Sequence, residues 1–115
     1  MSTEPDSALN AISPIDGRYL SKVEELKGYF SEAALIKYRL KIEVDYLLAL
    51  AAIPLKNLSG LNDKELEAIK NIAVNINDKG IAEIKAIEKT TNHDVKAVEY
   101  YLKNELKKLK LDSAV

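Results

Sequence analysis

The sequence predicts an all-α fold, and three observations carry that prediction. Apolar residues recur at three- and four-residue spacing from Ile36 to Leu109. The patterned segments run well beyond ordinary strand length. Capping residues, rather than hairpin turns, separate them.

Residues 1–12 are largely polar and unpatterned, and read as a flexible lead-in to one helical domain covering 13–115. Ser13-Pro14-Ile15-Asp16-Gly17-Arg18-Tyr19 is rich in turn formers, and such a loop presents Arg18 and Tyr19 rather than burying them. Residues 31–53 carry two patterns at once. Ile36, Tyr38, Leu40, Ile42, Val44 and Tyr46 alternate with charged residues as a strand would. Ile36, Leu40, Val44, Leu47 and Ala51 also form one helical stripe. No Gly or Pro interrupts the run, so helix is the better reading, with Tyr38, Ile42 and Tyr46 as a second apolar face that should be sandwiched between partners.

Pro54 stops that helix and residues 56–61 form a loop. Asn62 then caps the next helix, with Glu65 completing a capping box and Leu61 and Leu66 at the staple positions. Leu66, Ile69, Ile72, Ala73 and Ile76 give its inward stripe. Residues 75–80 read as a turn, followed by a short helix directing Ile81, Ile84 and Ile87 inward. The last helix starts near Thr91, with Val95, Val98, Leu102, Leu106 and Leu109 on one side. It fades into residues 110–115 with no C-cap glycine, a pattern that reads as truncated.

Composition removes several function classes. Of 115 residues, 47% are hydrophobic, and 17 basic side chains nearly balance 18 acidic ones, so no bulk pull towards nucleic acid or an anionic membrane is expected. Zero cysteines exclude disulfides and thiolate metal sites, and one histidine excludes a His-rich metal site within the chain. Absence of cysteine fits a reducing cytoplasm. Glu4 and Asp6 argue against a signal peptide, and the longest apolar run, residues 47–55, is too short for a membrane span.

Two segments carry candidate chemistry. Arg18 offers a planar fork of donors suited to phosphate oxygens, and the Tyr19 hydroxyl adds another; the plain alternative is a surface Arg beside a packed ring. In Thr90-Thr91-Asn92-His93-Asp94, Asn92 can read a base or sugar edge, His93 can bind phosphate or move a proton, and Asp94 can orient His93 or accept from a ribose hydroxyl. The plain alternative is that Thr91 caps the helix, Asp94 completes a capping box and His93 is merely exposed. Lys103, Lys107 and Lys110 read as a solvated face. The Lys85–Lys89 segment reads as exposed ion pairing. Adjacent Tyr100 and Tyr101 point about 100° apart on a helix, so one is core and one exposed.

Taken in order and at this spacing, Ser13–Tyr19 and Thr90-Thr91-Asn92-His93-Asp94-Val95-Lys96-Ala97-Val98-Glu99-Tyr100 resemble the first two signature regions of bacterial-type adenylosuccinate lyases. Phe30-Ser31-Glu32 and the 37–50 helix resemble the same branch, so the likeness covers about residues 11–108. It implies the N-terminal helical domain of the fumarase/aspartase superfamily, lacking the central long-helix bundle that forms homotetramers with shared active sites. It further implies a purine nucleotide substrate, elimination of fumarate from adenylosuccinate and from the succinyl-carboxamide ribonucleotide, and no cofactor or metal. Arg18 and Tyr19 map to phosphate contacts, and Asn92, His93 and Asp94 to nucleotide contacts, with His93 in a supporting catalytic role.

The family's main acid and base, a later histidine and a loop serine, have no counterpart in this chain, nor does its Thr-Ser-Glu-Asp segment. The chain alone is therefore expected to be inactive. Three rival readings are another superfamily lyase, such as argininosuccinate lyase or fumarase, a free-standing helical interaction module that docks through Leu102, Leu106 and Leu109, and a complete small nucleotide-binding protein, which the unfinished C-terminal pattern disfavours.

Overall fold

A computed structural model describes residues 5–53 and 60–111; the lead-in before Pro5, most of the 56–61 loop and the last four residues lie outside the described residues. Among the described residues there are helices and turns but no strand. The chain divides into two compact units that meet in sequence at Ala34 and Leu35.

The first unit consists of single helical turns: α1 (Pro5–Leu9), α2 (Leu20–Val23), a 3₁₀ turn at Glu24–Leu26, and α3 (Lys27–Phe30). None is long enough for an amphipathic stripe, and Ile12, Tyr29 and Phe30 stand exposed. Local hydrogen bonds hold this part, as with Ser31 Oγ, which accepts from the Ala34 N–H at 3.1 Å and caps the following helix.

That helix, α4 (Glu32–Ala51), resolves the double pattern in favour of 3.6-residue periodicity. Ile36, Leu40, Val44 and Leu47 are buried. Tyr38, Ile42 and Tyr46 are solvent-exposed rather than sandwiched, because the neighbouring helices of the second unit cover one face only.

In the second unit, α5 (Asp63–Val74) begins with the expected capping box. Asn62 Oδ1 accepts from the Glu65 N–H at 2.8 Å, and Glu65 Oε1 accepts from the Asn62 N–H at 3.1 Å. Residues 75–80 are not all turn. Asn77 Oδ1 accepts from the Gly80 N–H at 3.0 Å, so α6 (Asp78–Thr91) starts earlier than the glycine suggests. Gly80 is buried in its first turn because a Cβ there would lie 2.8 Å from both Ile76 Cγ1 and the Tyr101 hydroxyl.

α7 (Asp94–Lys108) packs mainly on α6 and more lightly on α5. Its inward face is Ala97, Val98, Tyr101, Leu102 and Leu106, while Val95 and Leu109, expected on that face, are exposed. Val95 lies in the first turn and Leu109 is the C-cap beyond the last helical residue, while Ala97 and Tyr101 join the stripe of Val98, Leu102 and Leu106 at three- and four-residue spacing. Burial, with the nearby Glu105 and Glu83, pushes the Tyr101 hydroxyl pKa up. Tyr100 remains exposed, and Leu102 and Leu106 line the interior, so they form no docking face.

α7 also has a defined stop. The Leu111 N–H donates to Leu106 O at 2.8 Å and the Lys110 N–H to Lys107 O at 3.0 Å, with Lys110 left-handed at φ 61°. This is a Schellman closure built without glycine, and Leu111 folds back into the core. The sequence lacked the glycine signal because a lysine occupies the strained position.

Two outcomes follow for denaturant unfolding. Lys110→Gly should stabilise the chain by about 1 kcal/mol by removing left-handed strain. Gly80→Ala should destabilise it by about 1–3 kcal/mol through overpacking, although helix propensity alone favours alanine by roughly 1 kcal/mol. A stabilised Gly80→Ala chain would contradict the packing described.

Candidate functional site

The sequence-derived site residues lie in two turns, one in each unit. In the first, Asp16 organises residues 12–16. Its carboxylate accepts from the Ser13 N–H at 2.8 Å, the Ile12 N–H at 3.2 Å and Ser13 Oγ at 3.3 Å, while Ser13 Oγ accepts from the Ile15 N–H at 3.1 Å. The Ser13 backbone bond, followed by that from Ile12, holds the Asp16 pKa below its ordinary 3.8. Gly17 permits a close approach, since a Cβ there would lie 2.6 Å from Ala8 O. The Tyr19 N–H donates to Pro14 O at 2.8 Å and closes the turn.

This turn places Arg18 and Tyr19 outward, as the sequence predicts. The Arg18 guanidinium carbon lies 4.8 Å from the Tyr19 ring centroid, a cation–π arrangement. Both side chains are exposed, and Arg18 makes no ion pair among the described residues. An extended, singly stacked guanidinium retains its fork of donors for an anion.

In the second unit, Asn92 and His93 form the whole connection between α6 and α7. Asn92 is the C-cap of α6 at φ 55° and ψ 33°, and its N–H donates to Glu88 O at 2.7 Å. Asparagine tolerates this left-handed conformation better than most residues. His93 then turns extended and caps α7 itself. Its Nδ1 accepts from the Lys96 N–H at 3.1 Å, so the proton of the neutral ring lies on Nε2.

Thr91 is therefore not the cap expected from the Thr-x-x-Asp spacing. It ends α6, and its hydroxyl accepts from the His93 N–H at 3.3 Å and donates to His93 O at 3.1 Å. Asp94 does not close a capping box. It occupies the first position of α7, where its charge suits the helix dipole, and its Oδ1 accepts from the Val95 N–H at 2.8 Å. Its Oδ2 lies 3.1 Å from Nη2 of Arg39 on α4. Nothing in the linear spacing singled out Arg39, because the contact joins distant segments.

Asn92, His93 and Asp94 are all exposed, so the two-residue turn and the first position of α7 present an amide, an imidazole N–H and a carboxylate together. Beside it lies an open depression of about 520 Å³ lined by Ile87, Thr90, Thr91, Tyr100 and Asn104. Tyr100 and Asn104 were not expected near the site; both follow from the register of α7. No cluster of three or more potential metal ligands occurs among the described residues. No helix of the described residues is long and apolar enough to cross a membrane.

No protein-family model matches the chain. Among curated proteins, it is 45% identical over 111 residues to an adenylosuccinate lyase of Dictyostelium discoideum, covering 92% of this chain and 24% of that protein. An adenylosuccinate lyase of Legionella pneumophila is 50% identical over 101 residues, 85% of this chain and 22% of that protein. One from Escherichia coli K12 is 45% identical over 101 residues, 87% of this chain and 22% of that protein. Several relatives thus agree on one activity name across 85–92% of the chain. The chain belongs to the adenylosuccinate lyase family and spans less than a quarter of the length of the relatives it matches.

Proposed function

We propose that this chain forms part of the nucleotide-binding surface of a carbon–nitrogen lyase. The lyase eliminates fumarate from adenylosuccinate, giving AMP, and from succinyl-aminoimidazole-carboxamide ribonucleotide in purine biosynthesis. The observation that carries the reading is sequence identity of 45–50% to adenylosuccinate lyases across 85–92% of the chain. Arg18 and Tyr19 bind the substrate phosphate. Asn92 and Asp94 contact the nucleotide, and His93 supports the chemistry through its outward Nε2–H. The reaction uses no cofactor or metal, and the lyase works in the cytoplasm as a homotetramer with shared active sites.

The chemistry explains why this segment binds rather than catalyses alone. Elimination needs a base for the proton beside a carboxylate, an acid for the leaving nitrogen and donors for the developing charge. The chain's single histidine has one ring nitrogen committed to capping α7, which leaves one nitrogen for substrate. The 115-residue chain should release no AMP from adenylosuccinate in an absorbance assay, and measurable turnover would overturn its assignment as a binding segment.

Because both turn residues have structural duties, ordinary alanine variants confound folding with binding. Asn92→Gly keeps the left-handed turn, and His93→Asn keeps a strong N-cap, whereas His93→Ala should cost about 1 kcal/mol of stability. In the lyase chain carrying this segment, Asn92→Gly should raise KM and His93→Asn should lower kcat/KM, both with unchanged Tm. Arg18→Ala should raise KM through loss of the phosphate contact. Wild-type kinetics in all three variants would end the site assignment.

A further inference from the structure

We infer that Arg39 is a positioning residue for the 92–94 turn, one that sets the direction of the Asp94 carboxylate. Backbone geometry already orients the other two members of the triplet. Asn92 is held by its left-handed conformation and its bond to Glu88 O, and His93 by its Nδ1 cap. Asp94 has no comparable restraint: at the first position of α7 its side chain can rotate about χ1 without breaking a helical bond.

Two contacts remove that freedom. Oδ1 accepts from the Val95 N–H at 2.8 Å and Oδ2 meets Nη2 of Arg39 at 3.1 Å. Together they fix the plane of the carboxylate. A carboxylate can accept about four hydrogen bonds, so acceptor capacity remains for a ligand on its half-exposed side. Arg39 is well suited to hold it. It lies on α4 next to Leu40, which is fully buried, and its own side chain is only 31% exposed.

Every other ion pair between described residues joins side chains three or four apart on a single local segment; this one ties α4 to the start of α7. A partly exposed pair contributes little to stability. The contact therefore matters more for direction than for folding, and the planar guanidinium defines a direction that an ammonium does not.

This inference rests on the reading of Asp94 as a nucleotide contact, and a four-variant set separates the two. Steady-state kinetics with adenylosuccinate would be measured in the lyase chain carrying this segment for Arg39→Met, Arg39→Lys, Asp94→Asn and the Arg39→Met/Asp94→Asn double variant, each with its Tm. Arg39→Met should raise KM about tenfold with kcat within about twofold, the scale of a misplaced contact. Arg39→Lys should recover part of that loss, and the double variant should be no worse than Asp94→Asn, because both changes remove one interaction.

A purely structural role for Arg39 would lower Tm and leave KM in place, which would overturn the inference. So would additive losses in the double variant, or wild-type KM in Arg39→Met while Asp94→Asn is impaired. Should Arg39→Met fail to fold, Arg39→Lys decides: KM raised at unchanged Tm supports positioning, and wild-type KM overturns it. Wild-type kinetics in Asp94→Asn would instead remove the nucleotide role of Asp94, and the role of Arg39 with it.

Discussion

The second unit depends on reversing the chain between α6 and α7 in two residues. A helix end leaves backbone carbonyls unpaired and a helix start leaves N–H groups unpaired, and here both sets fall side by side. Asn92 resolves the first by turning left-handed, and His93 resolves the second by accepting from Lys96. A longer loop would let α7 slide or rotate against α6. The short one fixes its register and so selects Ala97, Val98, Tyr101, Leu102 and Leu106 as the buried face. That same register brings the Tyr101 hydroxyl against the first turn of α6, where only glycine leaves room.

A tight turn of this kind also decides what reaches solvent. Because the backbone does the reversing, the side chains of Asn92, His93 and Asp94 are left on the outside with fixed origins. The 12–19 turn works on the same principle by other means. There the Asp16 carboxylate gathers backbone donors, Gly17 lets the chain come close to Ala8, and Arg18 and Tyr19 are set outward. Presenting polar groups from turns fixed by their own hydrogen bonds lowers the ordering entropy that a ligand must overcome.

Much of this was legible in the sequence, and each failure has its own physical cause. Local signals succeeded: the capping box at Asn62, the α4 stripe from Ile36 to Leu47, and the outward pair Arg18-Tyr19 all depend on residues within a few positions of each other. The capping of α7 was misread because Thr-x-x-Asp spacing fits a start at Thr91 as well as the true start at Asp94. Only the left-handed Asn92, stabilised by closure against Glu88 O, excludes the former. The Schellman stop was invisible because Lys110 holds a position where glycine is the usual signal, and burial of Leu111 offsets the strain. Arg39 was missed because nothing local marks a contact between α4 and α7.

His93 shows how structural and chemical duties coexist in one side chain. Capping uses Nδ1 as an acceptor, which fixes the neutral tautomer and directs Nε2–H away from the helix. A ring in that state presents one N–H donor with a defined orientation at an exposed position. On the proposed reading, its contribution is one of donation and support, in keeping with a reaction whose principal acid and base come from elsewhere. Asparagine or serine would cap α7 as well or better. The helix start alone therefore gives no reason for an imidazole there, and on the proposed reading the reason lies in what Nε2 meets.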